Sequence, residues 1–164
     1  MVAKSDFTPD EWNQIRRVPF MAGLVVVAAS PSGPFGVVKE MFAVGKMLAD
    51  VKLHGASSDL AKALVADLET PEGRLQSAPA ELHGKSPDEV KAAALESCRQ
   101  AAAIIDKKVK PDEAQSFKQW VLAGGKAVSE AATEGGFLGF GGTRVSEQEA
   151  TALKDLSAAL GAKA

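Results

Sequence analysis

A single cysteine, Cys98, is present in the chain, which excludes an intramolecular disulfide and any zinc cluster built from several thiolates. A reducing compartment, the cytoplasm, is therefore the expected location. Histidine is scarce too, with only His54 and His83, and no Glu-x-x-His pair occurs, so a ferritin-like di-iron site is excluded. Neither sign of charge prevails: 19 basic and 21 acidic residues leave a formal net charge of −2. No long-range field would draw such a chain to nucleic acid or to anionic lipid. The one cationic run, Lys107-Lys108-Val109-Lys110, closes a predicted helix and complements the negative end of its dipole.

Long apolar runs are also missing. The stretch 18–29 (VPFMAGLVVVAA) is only about 12 residues long, against the ~20 that a transmembrane helix needs, so no transmembrane segment is expected. Arg16-Arg17 before it and Ser30-Pro31 after it imitate a twin-arginine leader. The acidic, capped beginning Thr8-Pro9-Asp10-Glu11 instead predicts a helix buried on all sides at the centre of a bundle. The chain has no phosphate-binding loop, no strand-linked Gly-x-Gly-x-x-Gly, no Gly-x-Ser-x-Gly elbow and no His-Glu-x-x-His, which favours a non-enzymatic role.

What is present is a composition of 46% hydrophobic and 24% charged residues over 164 positions, close to that of an ordinary globular domain. One domain spanning 1–164 is expected, since a chain of this size buries roughly 70% of its unfolded surface. Three segments open with a Ser or Thr followed three residues later by Glu: Thr8 with Glu11, Ser86 with Glu89 and Ser146 with Glu149. In this capping box the hydroxyl and the carboxylate each answer a free backbone N–H. Pro9, Pro87 and Pro111 fall at first helical positions, where the missing N–H costs nothing. Helices are predicted over about 8–29, 35–54, 58–69, 86–109, 111–134 and 146–160, a compact all-α bundle of about six helices with no sheet. The segment 70–85 reads as the longest irregular connector, with two prolines and two glycines.

Apolar residues recur at helical spacing. Phe117, Trp120, Val121, Gly124, Ala127, Val128 and Ala131 form one stripe, and Val90, Ala94, Cys98, Ala101 and Ile105 another. Val38, Met41, Phe42, Gly45, Leu48 and Ala49 form a third; Leu60, Leu64, Val65 and Leu68, then Leu153, Leu156 and Leu160, serve the shorter helices. Cys98 reads as a core residue. Asp50 and His54, one turn apart, read as a contact near a helix end, and His83 as a solvent-exposed connector residue.

The segment 134–145 (EGGFLGFGGTRV) is unlike an ordinary connector, joining two helices through five glycines with Phe137, Leu138 and Phe140 among them. It reads either as a helix-ending turn whose apolar residues tuck back onto the bundle, or as a loop offered to a partner, a membrane surface or a hydrophobic ligand. A second Gly/Pro loop with apolar content occupies 30–36 (SPSGPFG). Glu130 and Glu134 precede the longer loop and Glu147 and Glu149 follow it, so a tight helical hairpin could bring the four carboxylates onto a hard cation, calcium or magnesium. Glu149 is equally explained as a capping residue.

About a quarter of the chain, 117–156, resembles the tellurite-resistance TerB-like helical family. The elements that carry the likeness are the Ala-rich helix 127–134, the acidic-Gly pair Glu134-Gly135, and the helix start Val145-Ser146-Glu147-Gln148-Glu149. The family usually has Asp before the glycine and a shorter loop; here Glu134 stands there and Phe137-Leu138-Gly139-Phe140-Gly141-Gly142 is inserted. The resemblance implies a compact helical bundle linked to stress responses, acting through acidic residues and partners.

Three readings of function follow. The first is a non-enzymatic bundle that binds a protein partner or forms a homodimer through small-residue helix faces and the Gly/Phe loops. The second is a domain binding a divalent cation through Glu130, Glu134, Glu147 and Glu149. The third is a carrier of, or enzyme for, a small hydrophobic ligand, with a pocket near Met21, Met41 and Met47.

Overall fold

The computed structural model describes residues 1–29, 45, 46, 49, 58–77, 82–134 and 146–163; among them are six α-helices and no strand. A 3₁₀ turn, Lys4–Asp6, leads into α1 (Pro9–Ala29); α2 (Asp59–Leu68), α3 (Pro71–Ser77), α4 (Pro87–Lys108), α5 (Pro111–Glu134) and α6 (Glu147–Leu160) follow. The chain is an all-α bundle. Of the helix predicted over 35–54, only residues 45, 46 and 49 are described, each helical and exposed.

Local signals set the helix ends. At α1 the Thr8 backbone N–H donates to Glu11 Oε2 at 2.8 Å and the Glu11 N–H to Thr8 Oγ1 at 3.3 Å. Ser86 with Glu89 and Ser146 with Glu149 repeat the exchange at α4 and α6. α6 stops at Gly161, which takes the left-handed conformation (φ 63°), and the Ala162 N–H reaches back to the Ser157 carbonyl at 3.1 Å.

The bundle is built around α1, which packs against α3, α4, α5 and α6. Its buried residues include Trp12, Ile15, Val18, Met21, Ala22, Val25 and Val26, too many adjacent positions for a single stripe. Pro19 lies inside α1, where it withholds an N–H from the Ile15 carbonyl, and Val25-Val26-Val27 carries β-branched residues of modest helix propensity. Burial on several sides overrides both. Around α1 stand Leu60 and Leu64 of α2, Ala94, Cys98 and Ala101 of α4, Phe117 and Val121 of α5, and Ala152 and Leu156 of α6.

One charged residue enters this core with α1. Arg16 is 2% exposed, and its Nε lies 2.7 Å from Asp67 Oδ2 on α2. The same oxygen accepts from Trp12 Nε1 at 2.9 Å, and Lys4 Nζ reaches Oδ1 at 2.7 Å. Burial pushes the Asp67 carboxyl up, but hydrogen bonds from Lys4 and Trp12 and the charge of Arg16 outweigh burial and hold it below its ordinary value. The opposite end of α2 is tied to α5: Glu113 Oε1 accepts from Ser58 Oγ and from the Leu60 N–H, both at 2.8 Å. That carboxylate sits at the positive end of the α2 dipole.

The irregular connector expected over 70–85 is corrected in its first half, where α3 forms. Thr70 starts it, its Oγ1 accepting from the Gly73 N–H at 3.0 Å and donating to the Asp67 carbonyl at 2.7 Å. Pro71 occupies the first helical position, as Pro9 does in α1. Arg74 folds back to donate to the Leu68 and Glu69 carbonyls, covering the end of α2. Gly73 is required by this tight corner, because a Cβ there would collide with the Asp67 carbonyl oxygen.

Two outcomes are expected. Asp67→Ala should lower stability by about 3 kcal/mol at neutral pH, because it takes the carboxylate at 2.7 Å away from the buried Arg16 guanidinium. A depressed carboxylate pKa contributes stability above the unfolded value and loses it as the pH falls through the folded value, so thermal melts of wild type and variant should converge in acid. Gly73→Ala should cost roughly 1–3 kcal/mol, read as a lower denaturant midpoint, since the clash is with backbone.

Candidate functional site

Helices α5 and α6 meet at a glycine. A Cβ on Gly125 would stand 2.9 Å from Leu156 Cδ2 and 3.6 Å from Leu153 Cδ2, so the missing side chain lets α6 settle closely onto α5. Gly124, singled out by periodicity, is also buried. Phe117, Val121 and Val128 turn inward from α5. Gln119, Leu122, Ala123 and Lys126, spaced i, i+3, i+4 and i+7, fall on another stripe of the same helix.

That stripe and the facing residues Leu153 and Lys154 of α6 enclose an open groove of about 420 Å³. Leu122, Ala123 and Leu153 line it together with Gln119, Lys126 and Lys154, and the surface that they present to it is mostly apolar. Leu153, which the sequence assigns to the core with Leu156 and Leu160, is only half-buried. The lysines are weakly compensated. Lys126 Nζ lies 3.9 Å from Glu130 Oε1 in an exposed i,i+4 pair, a contact of little energy. Lys154 has no carboxylate within ion-pair distance among the described residues, because the adjacent Asp155 turns to Lys91 Nζ of α4 at 2.8 Å. One exposed lysine from each wall, Lys126 and Lys154, thus lines the groove with Leu122 and Leu153.

The residues singled out by sequence fall elsewhere. Phe137, Leu138 and Phe140 lie outside the described residues, as do Met41, Met47, Asp50 and His54. Glu134 is described only as the last residue of α5. Glu130 and Glu147 are exposed. Glu149 is 3% exposed, its Oε2 accepting from the Ser146 N–H at 2.9 Å and from Ser146 Oγ at 3.0 Å. Among the described residues no group of three or more His, Cys, Asp or Glu could hold a metal ion. Met21 is a core residue at 2% exposure, and His83 is exposed beside Gly84.

The basic run at the end of α4 does more than answer a dipole. Lys108 Nζ lies 2.6 Å from Glu11 Oε2, joining the last turn of α4 to the first of α1. Nearby, Lys118 is 1% exposed and binds both Asp106 oxygens, at 2.6 and 2.7 Å. Gln115 receives the chain end, donating to the Gly161 carbonyl and accepting from the Lys163 N–H. These contacts are structural, and none lines the groove. Sequence periodicity alone could have marked the groove, through Gln119, Leu122 and Lys126 on a single stripe. It could not supply the facing wall.

Among the described residues no helix is long and apolar enough to cross a membrane. Cys98 is fully buried, and burial pushes its thiol up to about 12, with Arg99 countering only in part. Native protein at about pH 8 should therefore leave a chromogenic disulfide reagent unreacted for as long as it stays folded, and release one equivalent of chromophore per chain in denaturant. Comparison with protein-family models, with curated proteins and with solved structures finds no match for this chain.

Proposed function

We propose that this chain is a non-enzymatic helical interaction module that holds a protein partner against the face shared by α5 and α6. The observation that supports it is the groove itself, which half-buried Leu122 and Leu153 line together with exposed Lys126 and Lys154. Apolar surface framed by polar groups is the usual anatomy of a protein-binding patch. The described residues lining it offer two ammoniums and one amide, with no acid–base pair or activated nucleophile of the kind catalysis uses. The resemblance of 117–156 to the tellurite-resistance TerB-like family supports placing such a module in a stress response.

The test compares wild type with a Leu122→Gln, Leu153→Gln double variant, each immobilised and exposed to the same extract of the native host. A partner retained by wild type should fall at least about tenfold on the variant, a loss of roughly 1.4 kcal/mol, while both proteins keep the same helical circular-dichroism spectrum. Retention of the same proteins by both would remove the groove from the reading, and retention of none by wild type would remove the reading itself.

A further inference from the structure

On that reading, we infer that the segment docking in the α5–α6 groove is an acidic amphipathic helix of a partner protein. Gln119 to Lys126 covers seven residue steps, roughly 10 Å along α5 at 1.5 Å per residue, which matches two turns of a partner helix. Such a helix presents apolar side chains at i, i+3, i+4 and i+7 to a groove of this kind. The groove is open to solvent, whereas a small ligand would need most of its surface enclosed. A helix needs to bury only one stripe.

Charge selects the flanks of that stripe. Lys126 stands on the α5 wall and Lys154 on the α6 wall, so an incoming helix meets an ammonium on each side of its apolar face. The carboxylates near these lysines leave them available: Glu130 approaches Lys126 only to 3.9 Å, and Asp155 is engaged by Lys91. Glu or Asp on both flanks of a leucine stripe answers both ammoniums, while Lys or Arg there meets like charge. Two partly screened ion pairs, set against the corresponding repulsions, give the acidic helix an advantage of roughly tenfold.

The experiment titrates the isotope-labelled full chain with two synthetic helical peptides of about 18 residues. Both carry the same leucine stripe; one has Glu on its flanks and the other Lys. The acidic peptide should shift the amide signals of 119–126 and 153–154 and bind roughly tenfold more tightly than the basic one. Salt of about 0.5 M should erase most of that difference. The Lys126→Glu, Lys154→Glu variant, altered only at exposed positions and checked for an unchanged fold by its spectrum, should prefer the basic peptide.

Equal binding of the two peptides would overturn the acidic-partner inference while leaving an apolar docking groove. If neither peptide bound, the inference would be overturned, and the capture experiment above would decide separately whether the groove docks proteins at all. Shifts at the same residues caused by dodecanoate but not by peptide would assign the groove to a small amphiphile. Shifts caused by raising the protein's own concentration would assign it to a second copy of this chain. Either result overturns the proposal.

Discussion

The ion pair between Arg16 and Asp67 constrains much of this fold, because it allows α1 to occupy the centre of the bundle. A helix surrounded by four others has little room for charge, and a buried guanidinium without a partner would cost several kcal/mol. Asp67 resolves the conflict by standing 2.7 Å from Arg16 Nε while also receiving the Trp12 indole and Lys4. That carboxylate comes from the last turn of α2, so the orientation of α2 follows from the need to neutralise α1. The corner from α2 to α3 then hangs on the same turn, through the Asp67 carbonyl and Thr70.

The same arrangement accounts for the exposed groove. α5 and α6 both give their most apolar positions to the centre, Phe117 and Val121 from one and Ala152 and Leu156 from the other. Gly125 lets them approach closely. Leu122 and Leu153 are left half-buried at the edge of the core, Leu153 packed against Val26 of α1 and Val128 of α5, and Lys126 and Lys154 line the groove with them. Core packing and a candidate docking face are thus two sides of the same pair of helices.

Legibility in the sequence tracked the range of the interaction. The capping boxes at Thr8, Ser86 and Ser146 were readable because both partners lie three positions apart, and the structure contains all three. The core residues of α2 and α4 were equally plain from spacing. α3 was hidden because Pro71 and Gly73 resemble connector residues, although Thr70-Pro71 repeats the Thr8-Pro9 start. Pro is compatible with a first helical position, and Gly73 is demanded by a backbone contact that composition does not reveal. Of the two readings of Glu149, the capping one was local and is present, its carboxylate accepting from the Ser146 N–H.

By itself the sequence determined the longer helical segments among the described residues, where several of them start, and that Cys98 belongs in a core, since these depend on neighbours within a few turns. Tertiary structure alone decided that Arg16 would meet Asp67, 51 positions away, and that Glu113 would cap a helix 55 positions before it. It also decided that Lys126 and Lys154 would frame one groove. Helical periodicity specifies which face of a helix is apolar, but it carries no record of which helix covers that face. That choice is made by close packing around α1, where a missing Cβ at Gly125 and a buried charge at Arg16 determine what can lie beside what.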